Sequence, residues 1–379
     1  MLMIPGPSDV PPEALAQMSL PVLPHYGDEY LEIHRRVLEG LKTVFGTSGT
    51  VIMVPGPGTA GTEMALCGLA CEKTLVVEAG VFAHRMAEIL VSHGGDVVPL
   101  PVPERRAVDP DDVRSLVKST PGLGAVAVVH NESSTGVIHP LREIGRIARE
   151  HDLLFAVDVV SSLSGADVSM DDSEIDIAWS APQKALSAPA GLAFVALNDR
   201  ALARLESRRD RIRGWLLNPL VWKWHIDNWA WHPYPTSLPT AAVRGLDVSL
   251  RLALEEGLPK RYARHTRAAG AVRAAACALG MTPFPERTEF ASPTISSLIP
   301  PVGVDEAKMR EHVLAESDVW IAGGFGPLRG RIIRIGHMGE GARPHAVLAT
   351  VAALEDALRA QKHRIPPGSA AEAAAELLA

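Results

Sequence analysis

Asp158 ends the apolar run "LLFAVD" (153–158), and Lys184 follows the apolar run "IDIAW" (175–179) inside "SAPQKALSAPAGL" (180–192). A lysine held in a confined, partly apolar site loses its proton readily and attacks a carbonyl as a free amine. A carboxylate in the same site can keep a ring nitrogen protonated. The two together suit pyridoxal phosphate, whose aldehyde takes the lysine as a Schiff base and whose protonated ring is an electron sink. An isolated lysine beside a loop is more often an ordinary surface residue, so its neighbours must carry the case.

Several neighbours have fitting chemistry. "PGPGTAGTEM" follows the run "VIMV" (51–54) and opens a helical pattern, so the N–H groups of Gly58, Thr59 and Ala60 can cradle a phosphate. Gly56, Gly58 and Gly61 also match the GxGxxG of dinucleotide folds, and Glu78 lies near where such folds keep a ribose-binding acid. Pro57 sits inside that motif, and a nicotinamide enzyme would leave Asp158 and Lys184 without a role. "HNESSTG" (130–136) offers Ser133, Ser134 and Thr135 to a ring oxygen or phosphate. Phe82 can stack on a planar ring, and Arg334 in "IIRIGHMG" can fork onto a carboxylate. Cys67, Cys71 and Cys277 form neither a CxxC pair nor a disulfide framework, and no metal site is expected.

The elements that must position these groups are visible in the hydrophobic pattern. Runs at 51–54, 74–78, 96–100, 125–129, 153–158, 175–179 and 192–197 read as strands. Amphipathic stretches such as "FAHRMAEILVSHG" and "PLREIGRIAREH" separate several of them. Near-continuous apolar strands alternating with helices predict an α/β fold whose mainly parallel central sheet has helices on both faces. Open sheets of this kind bind ligands at the carboxyl ends of their strands, where Asp158 falls. A Trp- and Pro-rich stretch (214–240) breaks the pattern, and a smaller C-terminal α+β domain follows. The expected organisation is an N-terminal segment (1–20), a large domain (21–255), a small domain (256–365) and a disordered tail (366–379).

Of 379 residues, 47% are hydrophobic, and 37 Lys and Arg stand against 44 Asp and Glu, a net charge of −7. That balance gives no reason to expect nucleic acid or an anionic membrane as partner. The absence of a signal-like N-terminus or a spanning run predicts a soluble, cytoplasmic protein.

"HNESSTGVIHPLREIG", "VDVVSSLSGADVSMDDSEIDIAWSAPQKALSAPAGL" and "RIGHMG" resemble the class V, fold-type I aminotransferases, in particular the alanine:glyoxylate and serine:glyoxylate group. The resemblance runs from "PGPS" (5–8) to about residue 360. It implies that Lys184 is the Schiff-base lysine of pyridoxal 5'-phosphate and Asp158 the pyridinium partner. It further implies that Gln183, Ser133, Gly58 and Thr59 bind the phosphate and ring oxygen, that Phe82 stacks where relatives carry Trp, and that Arg334 binds a substrate carboxylate. Tyr234, with Thr236 or Ser237, matches the place where a partner subunit reaches across to the phosphate, implying a homodimer with shared active sites. The implied activity moves an amino group from alanine or serine to glyoxylate or pyruvate.

"ASPT" (291–294) and "GVDEAKMR" also resemble pyridoxamine:pyruvate aminotransferase. That family implies an acid in the glycine loop and a second arginine before "RIGHMG", where this chain has Pro57 and Phe325. Cysteine desulfurases share the fold but need a cysteine on a mobile loop and usually place His before the lysine. Here Gln183 precedes it. The aromatic cluster Trp222, Trp224, Trp229 and Trp231 is expected either to crowd the pocket entrance or to anchor a dimer interface.

Overall fold

The computed structural model describes residues 1–378. Strands β1 (Thr50–Pro55), β2 (Lys73–Glu78), β3 (Asp96–Pro101), β4 (Leu123–Val129), β5 (Leu154–Asp158), β6 (Ile177–Ser180) and β7 (Leu192–Leu197) form one sheet in the order β1-β7-β6-β5-β4-β2-β3. β7 runs antiparallel to both its neighbours, and all the other pairs are parallel. β5 and β7 are buried at every position, because helices cover both faces and no side of the strand meets water. Helix Leu141–Glu150 shows how the cover works. Leu141, Ile144, Ile147 and Ala148 face inward, while Arg142, Glu143, Arg146 and Arg149 are exposed.

A second, antiparallel sheet joins β8 (Thr282–Pro283), β9 (Ile295–Ile299), β10 (Ala322–Gly323) and β11 (Ile333–Gly336) in the order β8-β9-β11-β10. It packs with helices Leu258–Ala278 and Pro344–Ala360 around its own apolar core.

The N-terminal segment belongs to this second body at its start. Met3 is part of the second core, and its backbone bonds to Trp320 and Gly336. From there the chain crosses toward the large sheet, where the Ser8 N–H reaches the Gln183 carbonyl at 3.0 Å.

Two expectations are corrected. The tail is not disordered: Ser369–Leu378 is a helix packed on Leu258–Ala278, with Ala370 and Ala374 buried in the second core. Alanine-rich sequence favours helix, and small side chains let the two helices approach closely. The tryptophans do not crowd the pocket of their own chain either. Helix Pro219–Asn228 buries Trp222 against β1 and helix Gly58–Leu69, while Trp215, Trp224, Trp229 and Trp231 are exposed away from the site.

Candidate active site

Asp158 ends β5 beside Val129 of β4 and Trp179 of β6. One carboxylate oxygen accepts the Val160 N–H at 2.8 Å, and the Trp179 indole on the neighbouring strand also favours the charged form. Burial, reinforced by the charge of Glu132, pushes the carboxyl up to about 6, against the opposing pull of the Val160 N–H and Lys184.

Lys184 lies on the loop between β6 and β7. Its Nζ donates to the Pro5 carbonyl. Burial drives its pKa down to about 8; Asp158 opposes the shift and Arg334 adds to it. Gly6 permits this approach, since a Cβ there would stand 2.5 Å from Lys184 Nζ, and its φ of +109° is itself glycine-like. The lysine loop is tied down from below as well. Ser8 Oγ donates to the Lys184 carbonyl at 2.6 Å, and Arg261 donates to the Ala185 carbonyl.

Two cavities meet at Lys184. The inner one, about 200 Å³, is lined by Gly58, Thr59, Phe82, Ser133, Asp158 and Gln183, among others. The outer one, about 370 Å³, shares Phe82, Ser133 and Lys184 and adds Arg334, Phe325 and the N-terminal residues Ile4, Pro5 and Gly6. A larger open cleft of about 1050 Å³ runs past Pro101–Pro103, His139 and Phe290, and none of the expected site residues lines it.

In the inner cavity Gly58 and Thr59 open helix Gly58–Leu69, and their N–H groups have no backbone acceptor. The Ala60 N–H, expected to be free, is held by the Pro57 carbonyl at 2.8 Å. Gln183 Oε1 is buried with no partner, a group that a polar ligand must satisfy. Asn131 Oδ1 is orphaned in the same way.

Of the three hydroxyls in "SST", only that of Ser133 remains free. Thr135 Oγ1 donates to the Glu132 carbonyl at 3.3 Å. Ser134 Oγ donates to Glu132 Oε1 at 2.6 Å and accepts the Val81 N–H at 3.1 Å.

Glu132, inside the motif "HNESSTG", has a role that only the structure reveals. Fully buried, it accepts the N–H groups of Phe82 and Ala83 at 3.1 and 3.2 Å and that of Ser134 at 3.0 Å. With Ser134 it caps the first three N–H groups of helix Val81–Ser92 and fixes Phe82 between the two cavities. Gly80 is required here because a Cβ would meet Glu132 Cγ at 2.5 Å. The sequence signal was a buried-strand acid three residues before Thr135, which is weak when read alone.

Arg334, on β11, is buried in the wall of the outer cavity. Its Nε donates to the Gly323 carbonyl at 2.7 Å and its Nη1 to the Ser133 carbonyl at 2.8 Å. Burial lowers it to about 10, and Glu132 works against that shift. Phe325 lies over its guanidinium face at 4.2 Å and meets Phe82 edge-on at 6.4 Å.

Tyr234 and Ser237 lie outside both cavities. The buried Tyr234 hydroxyl donates to the His25 carbonyl, and the exposed Ser237 hydroxyl is 3.3 Å from His25 Nε2. Glu78 also lies outside, next to His84, so the glycine loop has no ribose-binding acid at the cavity. The inner cavity is also below the roughly 300–1,000 Å³ of drug-sized sites, too small for a dinucleotide.

The class V aminotransferase family model matches residues 21–210. The chain is 37% identical over 361 residues to an uncharacterised aminotransferase of Methanocaldococcus jannaschii, covering 95% of this chain and 92% of that protein. The chain belongs to the class V aminotransferase family. It is 31% identical to an alanine–glyoxylate aminotransferase of Drosophila melanogaster, covering 95% of this chain and 93% of that one. The solved structure of pyridoxamine–pyruvate aminotransferase from Mesorhizobium loti superposes with a TM-score of 0.93 at 29% identity, covering 100% of this chain and 96% of that one. The fold is accordingly fold-type I, the activity a pyridoxal-phosphate-dependent transamination. The inner cavity fits that cofactor: it presents free helix N–H groups, an orphaned amide oxygen, an aromatic ring, a buried carboxylate and an amine.

Proposed function

We propose that this chain carries an amino group from a small amino acid to a small 2-oxo acid in two half-reactions through one site, with alanine and serine among the donors and glyoxylate and pyruvate as acceptors. The observation that carries the reading is the position of Lys184, which lines both an inner cavity with Asp158 and an outer cavity with Arg334.

Pyridoxal phosphate, when bound, supplies an aldehyde and a ring that absorbs the electron pair left on the substrate carbon. Gly58, Thr59 and Gln183 hold its phosphate, Phe82 stacks on its ring, and Ser133 and Asp158 bind the ring oxygen and nitrogen. Arg334 fixes the substrate carboxylate, which aims the Cα–H bond at Lys184. The Nζ of Lys184 takes that proton, a role suited to an amine whose pKa burial has brought to about 8.

A homodimer completes the site in this reading. Its support is that Ser237 is exposed and that Trp229 and Trp231 stack in the open next to the Tyr234 segment. The three free cysteines support a reducing, cytoplasmic setting. No helix among the described residues is long and apolar enough to cross a membrane.

The test is the visible spectrum of the protein supplied with pyridoxal phosphate, before and after alanine, serine or pyridoxamine is added separately without any oxo acid. A cofactor band that bleaches with an amino acid is the expected result. No band at all overturns the reading. Bleaching by pyridoxamine alone would move the assignment to an amine donor without a carboxylate.

A further inference from the structure

On the reading above, Lys184 removes a proton from a carbon that Arg334 aims, so the spacing of the two side chains matters as much as their presence. They stand on different bodies: the Lys184 loop follows a strand of the large sheet, and Arg334 lies on β11 of the small one. The bodies meet where two helices join. Helix Thr240–Glu256 buries Val243, Leu246 and Leu250 in the first core, while Leu258–Ala278 buries Ala268, Val272 and Ala275 in the second.

A buried ion network fills that junction. Glu256, the last residue of its helix, takes Arg264 as a fork, with Nε at 2.6 Å and Nη2 at 2.8 Å, and Arg261 through Nη1 at 2.8 Å. Each guanidinium then extends to a different loop. Arg261 donates to the Ala185 carbonyl beside Lys184, and its Nε to Ser164 Oγ at 2.8 Å. Arg264 Nη1 donates at 2.6 Å to the carbonyl of Gly339, on the turn that follows β11. His265 holds the other side of that residue: its Nδ1 donates to the Arg261 carbonyl at 2.7 Å, which leaves Nε2 to accept the Gly339 N–H at 2.9 Å. The two loops also touch. The Glu340 N–H donates to Ser187 Oγ at 3.0 Å, and a Cβ at Gly339, whose φ is +54°, would collide with that hydroxyl.

Arg261, Arg264 and His265 are all buried, and the cost of desolvating two guanidiniums can cancel what such pairs contribute to stability. What a rigid, planar fork supplies is geometry. The Glu256 carboxyl is charged at neutral pH: burial works against it, yet the Arg264 hydrogen bond and both guanidinium charges hold it down to about 2. Glu340 adds a second negative charge acting on Arg261.

We propose that Glu256 is a positioning residue: through Arg261 on one side and Arg264 on the other, it sets the spacing between Lys184 and Arg334, and with it the rate of proton transfer at the substrate carbon. This rests on the transaminase reading and goes beyond it, because neither Glu256 nor the two arginines line either cavity.

The experiment uses cofactor-loaded wild type and Glu256→Gln, which keeps size and one acceptor oxygen but loses the charge that two guanidiniums share. E256Q should lower the single-turnover rate with alanine or serine about 10- to 100-fold, the scale of a misplacement of about 1 Å. The apparent KM should stay within about twofold, since binding contacts are untouched. The slowed step should show a primary isotope effect with the Cα-deuterated donor at least as large as in wild type. Arg264→Lys keeps the positive charge but loses the fork, and it should slow the reaction in the same way by a smaller factor; it decides the matter if E256Q does not fold.

A readout independent of turnover is amide hydrogen exchange without substrate. In E256Q the segments 185–187 and 339–340 should both exchange faster, while the Phe82 and Ala83 amides, held by Glu132, should not change. A rate and isotope effect equal to wild type overturn the proposal, as does a loss seen in KM alone or faster exchange spread evenly over the chain. If wild type reacts with no amino acid, the transaminase reading fails, and the paired exchange of the two segments still decides whether Glu256 couples them.

Discussion

The inner and outer cavities share Lys184, Phe82 and Ser133, but the chain builds them in different ways. The other residues named in the inner cavity lie between positions 57 and 183, at or just after the carboxyl ends of strands of one sheet. The outer cavity adds residues 4–6 at one end of the chain and 306–334 near the other. On the proposed reading the chemical step sits at the carboxyl ends of buried strands. The residues that cover Lys184 come from a second body and from a crossing N-terminal strap. A transaminase can thus keep its chemical step fixed and change its donor by altering residues that touch no strand of the large sheet.

The largest effect expected from breaking this arrangement lies at the shared wall. Lys184→Ala should abolish covalent uptake of the cofactor aldehyde and lower turnover on the order of 10³-fold or more, since nucleophile and proton carrier are lost together. The wild-type protein sharpens the point through pH. Burial lowers the lysine to about 8, so about one molecule in ten carries the neutral amine at pH 7, against about one in three thousand for an exposed lysine. Uptake by cofactor-free protein should rise with pH around a midpoint near 8 and level off above it. A midpoint above 10 would show that the lysine is solvated as any surface residue.

A smaller effect is expected where the two cavities are held apart. Glu132→Ala removes the acceptor for the Phe82 and Ala83 N–H groups and a carboxylate whose charge acts on Arg334. Urea denaturation of the cofactor-free protein should show a loss of about 2–3 kcal/mol, a capping bond plus unsatisfied buried donors. Cofactor affinity and the KM of the donor should both weaken, because Phe82 and Arg334 lose the same support. Glu132→Gln keeps an acceptor oxygen and should recover most of the stability and less of the donor binding, a split that a purely structural acid would not give.

Sequence reasoning reached the inner cavity more fully than the outer one, for a physical reason. Asp158 and Lys184 follow long apolar runs, so period and position both point to the sheet end, and the motif around them is contiguous. The commitment of Ser134 to the Val81 N–H was not legible, since it depends on where helix Val81–Ser92 arrives in space, whereas Thr135 and the Ala60 N–H are held by turns three residues back along the chain, to Glu132 and Pro57, whose closure residue types alone do not dictate. Glu132 was hidden for the same reason: its partners are about fifty positions away. Pro5 and Gly6 reach Lys184 from nearly 180 residues off, a pairing no local pattern encodes. The low complexity of the alanine-rich tail is equally compatible with fraying and with helix, and only the face of helix Leu258–Ala278 decides between them.

The smallest expected effect discriminates the transaminase from a lyase on the same fold. A desulfurase must bring a cysteine sulfur to the substrate, but no cysteine lines either cavity. Cys67 is buried in helix Gly58–Leu69, where its Sγ donates to the Leu217 carbonyl at 2.9 Å, and burial pushes its thiol up to about 12, far from a reactive thiolate. Cys71 is raised as well, also by burial, and Cys277 lies at the exposed end of a helix in the second body. Replacing Cys71 and Cys277 together by serine should therefore change the first half-reaction by less than about twofold, as for surface substitutions remote from a site. A large loss of activity, with alanine formed from cysteine by the wild type and the sulfur left as a persulfide on an enzyme cysteine, would mean that the covering segments move far enough to deliver a thiol. The contrast between a fixed inner cavity and an interchangeable outer one would then extend to the type of bond broken, beyond the choice of donor.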